Sequence, residues 1–302
     1  MLDRTTLLRA TAANHRAFFR RYATLGGGRV ERVAEFELIL DGPDAKLAFP
    51  SRGAHAAQRL DELIGRARSL GIRTMSCWAL EEDPVLGTLL IARGFEWGWQ
   101  PHWMARKITR LPRPTIEREV VRFEPGPALP QRGLPYADSR ADPRQVRHLA
   151  VRQGGVTVGH AIVNPWRGFA GLYSMGVTET HQRRGIGRAL TLAACRLARD
   201  LGCTHALLNA TYEGELLYRT LGFQSFGRGQ TWWRHPGPWP TSRQTRIVEA
   251  IGFGEIEMLA ALRPSRHELE RPIPGPGPPL AVAAVTGQAA AADWIRAKLG
   301  RK

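Results

Sequence analysis

Cysteine is scarce: Cys77, Cys195 and Cys203 are the only three in 302 residues. An odd number in so long a chain argues against a disulfide framework and predicts buried, reduced thiols. Metal-ligand spacings are missing too. There is no His-Glu-x-x-His and no paired Cys-x-x-Cys, and Cys203-x-His205 supplies too few ligands, so no resident metal is expected. No stretch approaches the run of about 18 apolar residues that a membrane span needs. The start, Met1-Leu2-Asp3-Arg4, lacks the apolar core of a signal peptide, and a cytoplasmic location is expected. Lysine is also rare. Lys46, Lys107, Lys298 and Lys302 are four of 43 basic residues, so the net charge of +16 is arginine scattered along the chain. The excess suits an anionic partner, but its dispersal reads as a solvated surface rather than a nucleic-acid footprint.

What is present is an ordinary globular composition, 43% hydrophobic and 23% charged, in a chain longer than one core usually serves. Two proline-rich stretches should interrupt regular structure: Leu111-Pro112-Arg113-Pro114 with its continuation through Pro125-Gly126-Pro127, and Pro236-Gly237-Pro238-Trp239-Pro240. They predict three modules, over residues 1–110, 118–235 and 242–302. A third proline run, Pro272 to Pro279, reads as a long turn inside the last module.

In the middle module, Val146 to Gln153, Thr157 to Asn164 and Ala170 to Val177 are strand-like. Gly154-Gly155 and Pro165-Trp166-Arg167-Gly168 separate them as hairpin turns, giving an antiparallel meander. A helix fits Gly185 to Leu201, where Leu190, Ala194, Leu197 and Leu201 recur at helical spacing and Gly202 supplies the left-handed stop. A strand at Ala206 to Thr211, a short helix at Gly214 to Leu221 and a strand near Trp232 complete the order.

Between the third strand and its helix lies Gln182-Arg183-Arg184-Gly185-Ile186-Gly187-Arg188. Glycines at a strand-to-helix turn let the backbone approach a phosphate, and the first N–H groups of the helix donate to it with the dipole behind them. Arg183, Arg184 and Arg188 add charge at the same place, which makes a pyrophosphate cradle. Competing phosphate loops fail: a dinucleotide fingerprint needs glycine where Leu190 stands, and a Gly-Lys-Ser/Thr ending is missing.

The run Val177 followed by Gln182-Arg183-Arg184-Gly185-Ile186-Gly187 resembles the acetyl-CoA motif Gln/Arg-x-x-Gly-x-Gly/Ala of GNAT acetyltransferases. Downstream, Leu217-Tyr218-Arg219-Thr220-Leu221-Gly222-Phe223 is similar to that family's Leu-Tyr-x-x-Leu-Gly-Phe ending. The resemblance implies an α/β (α+β) fold with a mixed, mainly antiparallel sheet whose third strand splays from the next. It implies that backbone groups of Met175, Gly176 and Val177 bind the pantetheine arm of acetyl-CoA, that Arg183, Arg184, Gly185, Ile186, Gly187 and Arg188 take the pyrophosphate, and that Thr211 contacts the cofactor. Tyr218 would be the catalytic acid that protonates the departing thiolate, and a small-molecule or peptide amine would be the acceptor.

The family pattern is incomplete in three places. Thr211 stands where many members carry Asn seven residues before the tyrosine, although Asn209 is near. Ser174 and Met175 occupy the strand position of the general base, leaving Glu179, Glu213 or Glu215 to act through water, or no base at all. The chain is also short of the two helices usual between Phe123 and Val146, a gap that the first module could fill. A non-catalytic CoA-binding or protein-interaction module therefore stays open beside the N-acetyltransferase.

Residues 1–110 offer a helix at Thr5 to Tyr22, strands at Glu35 to Leu40 and Lys46 to Phe49, a helix at Ala54 to Leu70 and a strand at Arg73 to Ala79. A short helix ends at Arg93, and Arg93-Gly94-Phe95 leads into one aromatic strand, Glu96 to Met104. This order faintly repeats the middle module and predicts a tandem with a degenerate GNAT-like half. Trp97, Trp99, Trp103, Trp232 and Trp233 could wall an acceptor pocket between the modules. In the tail, Ala250, Gly254 and Leu262 return 33 residues later as Ala283, Gly287 and Ile295, and Pro279 to Gly287 resembles an ankyrin core. A small all-α ankyrin-like module is expected there, packed on the middle domain or offered to a protein partner.

Overall fold

Asp3 opens the first helix, α1 (Arg4–Leu25), by accepting the Thr6 amide at 2.9 Å, which satisfies a first-turn donor that no intrahelical carbonyl can reach. The computed structural model describes residues 2–33, 36–50, 55–112, 121–122 and 147–300. After α1 come β1 (Arg29–Val33), β2 (Phe36–Asp41), β3 (Asp44–Ala48), α2 (Ala56–Ser69), β4 (Thr74–Ala79), α3 (Pro84–Ala92), β5 (Glu96–Trp97) and β6 (His102–Lys107). The next elements are β7 (Val121–Arg122), β8 (Arg147–Gln153), β9 (Val156–Trp166), β10 (Phe169–Val177), α4 (Ile186–Asp200), β11 (His205–Ala210), α5 (Tyr212–Thr220), β12 (Gln224–Arg228) and β13 (Gln230–Arg234). Helices α6 (Ser242–Gly252), α7 (Ile256–Leu262), α8 (Arg266–Glu270), α9 (Pro279–Val285) and α10 (Ala289–Leu299) end the described chain.

The described strands form two sheets, ordered β1-β2-β3-β4-β13-β5 and β12-β6-β11-β10-β9-β8-β7. The compact units cut across the linear division expected from the prolines. One holds Met1–Arg29 with Pro101–Gly229, the other Val30–Gln100 with Gln230–Lys302. Strand pairing is the cause. Gln230 to Arg234 pairs with Ala79 to Met75 of β4, and His102 to Lys107 pairs with Ala210 to His205 of β11. The expected strand Glu96 to Met104 is accordingly two strands in different sheets. Thr231 ends the first of them, its hydroxyl accepting the Trp99 amide at 3.0 Å and donating to the Trp99 carbonyl at 2.8 Å. Residues Pro114, Pro125 and Pro127 lie outside the described set.

In the first unit, α4 covers one face of the seven-stranded sheet. Its Ile186, Leu190, Ala194 and Ala198 pack with Val158, Ala161, Val163, Ala170 and Leu172 in one core. The other face is covered by α1. Its apolar positions Leu7, Phe18 and Phe19 are buried there, together with a polar contact that fixes its register. Tyr173 donates to Asn14 Oδ1 at 2.8 Å, and Asn164 Nδ2 donates to the same atom at 3.0 Å. Gly171 is required beneath them, because a Cβ there would strike the Asn14 side chain and the Tyr173 ring.

His15 on the same helix stands edge-on to Tyr173, Trp103 and Phe19, with centroids 4.8, 5.4 and 5.8 Å away. Its Nδ1 donates to the Thr11 carbonyl at 3.1 Å. Burial pushes the His15 pKa down from 6.5 to about 4. Between those values the unfolded chain binds a proton that the folded chain refuses. Stability from His15 is therefore fully present above about pH 6.5 and is lost as pH falls towards 4, by about 3 kcal/mol. Urea midpoints measured from pH 7 to pH 4 should fall more steeply for the native chain than for His15→Phe. Equal slopes would show that His15 is not the titrating group.

In the second unit, β2, β3 and β4 enclose Leu38, Leu47, Met75 and Cys77 against Leu60 and Leu63 of α2. The tail helices dock on α3 rather than on the middle domain as expected. Ile91 and Ala92 join Ile247, Val248, Ile251, Val282, Ala291 and Ile295 in one core. Arg93, 4% exposed, ties the contact together by ion pairs at 2.8 Å to Asp61 and to Glu249 of α6.

Candidate active site

Strand β10 pairs in parallel with β11 only from Phe169↔His205 to Leu172↔Leu208. Its pairing with β9 resumes, after a bulge, at Gly176↔His160 and Val177↔Gly159. Beyond Leu172 the two parallel strands therefore part, and the extra residue of the bulge aims the chain away. Ser174 sits in the bulge with φ +47°, a left-handed conformation that a non-glycine residue holds only when its surroundings enforce it. The enforcement is visible on the α1 face. The Ser174 carbonyl can only accept, so His160 Nδ1 donates to it at 3.3 Å. His148 Nδ1 then donates to His160 Nε2 at 3.1 Å, and Tyr22 donates to His148 Nε2 at 3.2 Å. Burial lowers the His160 pKa, which keeps the ring neutral as this order of protons requires.

The loop after β10 is anchored by the Thr178 amide on the Val158 carbonyl at 2.9 Å and by Gln182 Nε2 on the Val177 carbonyl at 3.3 Å. Arg183 (φ +59°) and Gly185 (φ +81°) are both left-handed and flank Arg184, the kind of alternation that gathers backbone N–H groups into an anion-binding concavity. Gly185 is the N-cap of α4 and has no side chain to accept a first-turn amide. The amides of Ile186, Gly187 and Arg188 are then the donors at the helix start. Ile186 is 1% exposed. It packs so closely on β9 that a Cβ at Gly159 would come within 2.8 Å of its Cγ2.

A cavity of about 670 Å³ opens between the parted strands and the start of α4. Met175, Gly176, Val177, Arg183, Gly185, Gly187, Arg188, Thr211 and Tyr218, all expected at the site, line it. Arg184 and Ile186 do not. Arg184 is exposed beside it and Ile186 anchors the loop in the core. Thr211 has its hydroxyl oxygen engaged as the N-cap of α5, accepting the Gly214 amide at 3.2 Å, which leaves its proton and one lone pair to offer a ligand. Leu217 and Asn209 are further walls. Gly159 follows the rule that a glycine inside a strand marks a close approach, here that of Ile186 and Leu190, whereas the two histidines behind the bulge carry no comparable signal in the sequence.

Tyr218 is 9% exposed and its hydroxyl points at Met175 Sδ, 3.6 Å away. Burial, with Cys195 nearby as a second cause, pushes its pKa up to about 12, so it holds its proton at neutral pH. Of the acids considered as bases, Glu179 and Glu213 line the cavity and Glu215 does not. Trp103 and Trp232 are core residues, and Trp97 is exposed.

Residues 113–223 match the family model described as Acetyltransferase (GNAT) family, a segment that holds the cradle, Asn209, Thr211 and Tyr218. The chain contains a GNAT acetyltransferase domain. Its enzyme class is acyltransferase, and acetyl transfer is the activity that the family implies. No curated protein matches the chain. Among solved structures, a GCN5-related N-acetyltransferase from Kribbella flavida is 20% identical with a TM-score of 0.55, covering 74% of this chain and 96% of its own. That likeness shows the same fold, two mainly antiparallel sheets with helices. A tandem GNAT protein from the clavulanic acid biosynthesis pathway is 17% identical with a TM-score of 0.44, over 67% of this chain and 79% of its own. A functionally unknown conserved protein from Staphylococcus epidermidis is 13% identical with a TM-score of 0.49, over 70% and 96%. Among the described residues of the GNAT domain and its partner unit, no helix is long and apolar enough to cross a membrane, and no group of His, Cys, Asp and Glu is arranged to hold a metal.

Proposed function

We propose that the GNAT domain binds acetyl-CoA in the cavity between β10 and β11 and transfers its acetyl group to an amine by direct attack on the thioester. The observation that carries this reading is the meeting of three features in one cavity: a parted strand edge, an uncapped helix start and a buried tyrosine. The backbone at Met175 to Val177 presents edge groups to the pantetheine amides. The first-turn amides at Gly187 and Arg188, with the Arg183 and Arg188 guanidinium groups, take the pyrophosphate, and Arg184 adds charge outside the wall.

The acceptor nitrogen bonds to the thioester carbon and the carbon–sulfur bond breaks. The Tyr218 hydroxyl donates to the sulfur as negative charge develops on it. Glu179 and Glu213 are the carboxylates positioned to take the acceptor's proton through water. The acceptor is a small-molecule or peptide amine.

The second unit is read as a degenerate GNAT-like half. In support, β3 is parallel to β4 as β10 is to β11. An exchanged strand also lies next to β4 and to β11 alike, β13 in one sheet and β6 in the other. The tail is read as ankyrin-like. Gly254 (φ +70°) and Gly287 (φ +71°), 33 residues apart, each turn one helix of a pair into the next. A protein partner for it would use the faces that α3 leaves open.

Calorimetric titration of the full chain with acetyl-CoA tests the reading. A dissociation constant of about 10 µM, or about −7 kcal/mol, is expected. No heat would sink it. Binding without CoA release in the presence of any amine of a broad panel would favour a non-catalytic CoA-binding module.

A further inference from the structure

Three side chains that acetyl transfer does not use converge on the α5 face of the seven-stranded sheet. They come from elements far apart in sequence: His102 from β6, Glu215 from α5 and Ser225 from β12. His102 Nδ1 lies 2.6 Å from Glu215 Oε2, and His102 Nε2 lies 2.5 Å from Ser225 Oγ. A carboxylate can only accept, so the neutral ring carries its proton on Nδ1 and keeps the Nε2 lone pair, to which the Ser225 hydroxyl donates. Base, orienting acid and hydroxyl thus stand in the order that activates a serine nucleophile, a constellation recognised by geometry and roles rather than by sequence position.

Accessibility follows the same order. His102 is buried and the Glu215 side chain mostly so, while Ser225 is exposed. The hydroxyl can meet an incoming carbonyl, and its base is shielded from competing water. Arg219 holds the other Glu215 oxygen at 2.7 Å. That contact first, and His102 with it, lowers the Glu215 pKa and keeps the carboxylate ionised. Ser225 also stands beside a register shift between itself and Gly227, on the outermost strand of its sheet. Bulges at sheet edges re-aim a side chain, and this one brings the hydroxyl onto the His102 ring. None of the three residues lines the acetyl-CoA cavity.

We infer that Ser225, His102 and Glu215 form a second, esterase-type site that accepts acyl groups from activated carboxylic esters. The Ser225 oxygen bonds to the acyl carbon while its proton passes to His102 Nε2. The carbon–oxygen bond to the leaving alcohol breaks, and that alcohol takes the proton from Nε2. Water then repeats the exchange at acyl-Ser225, releasing the carboxylic acid and restoring the hydroxyl. Glu215 holds the ring tautomer and offsets the charge of the imidazolium stage.

The test is labelling of the full chain with a fluorescent fluorophosphonate, followed by peptide mapping. Covalent label on Ser225, slowed by prior p-nitrophenyl acetate, is expected. His102→Gln should cut the labelling rate about a hundredfold or more, and Ser225→Ala should abolish labelling while acetyl-CoA affinity is unchanged. The peptide map of the native chain needs no variant, so a folding defect cannot obscure the answer. No label on the native chain, label on another residue, or an unchanged rate in a folded His102→Gln chain would overturn the inference.

Discussion

Gly187→Trp should abolish acetyl-CoA binding, raising the dissociation constant by at least about a hundredfold, or about 3 kcal/mol. A Cβ at Gly187 would stand 3.1 Å from Leu217 Cδ2 and 3.9 Å from Val177 Cγ2, and both residues are walls of the cavity. A larger side chain starts against these two walls, beside the space proposed for the pantetheine and pyrophosphate. Folding should not suffer, because Gly187 is in the first turn of α4, where indole replaces the least favourable residue for a helix short of proline. Circular dichroism should show a folded chain that melts cooperatively, with the flexible end of Leu217 shifting to relieve the 3.1 Å contact, and calorimetry should show no acetyl-CoA heat. A folded variant that still binds within threefold of the native chain would place the cofactor elsewhere.

Much of this site was legible in the sequence because its chemistry is written in local, short-range terms. Glycine at 185 and 187 announces a backbone-lined turn. Leu190, Ala194 and Leu197 announce the helix behind it, and the strand boundaries around Gly154-Gly155 and Gly168 fall within a few residues of those observed. What stayed hidden depends on contacts between distant residues. Both exchanged strands, His102 to Lys107 and Gln230 to Arg234, read as aromatic strands. Alternation tells a strand from a helix, but it does not tell which sheet will take it. The proline runs suggested module edges, yet pairing carried the unit boundary to Gly229 and Gln230, before the second run. The strain at Ser174 was illegible for the same reason, since three residues from α1, β8 and β9 impose it. The tail's period of 33 was readable, but its docking on Ile91 and Ala92 needed the shape of α3.

Tyr218→Phe should lower kcat for acetyl transfer by about a hundredfold or more while leaving the acetyl-CoA dissociation constant within about threefold. The ring's packing would survive, because its contact with Phe223, 5.7 Å between centroids, involves carbon alone. What disappears is one proton donor in the cavity wall, which rests on Met175 Sδ in the free chain. With the tyrosine pKa near 12 the hydroxyl stays protonated through any practical assay range, so the native rate should show no alkaline decline from Tyr218 below about pH 10. The donor matters only as the carbon–sulfur bond breaks, when thiolate charge appears in a site that burial has made poor at solvating it. Loss should therefore fall on kcat and kcat/KM together, and least for acyl donors whose thiol leaves readily as an anion. CoA release followed with a thiol reagent, using any amine that turns over, reads both constants. An unchanged kcat in the phenylalanine variant would mean that the thiolate leaves unaided and that Tyr218 serves the core alone.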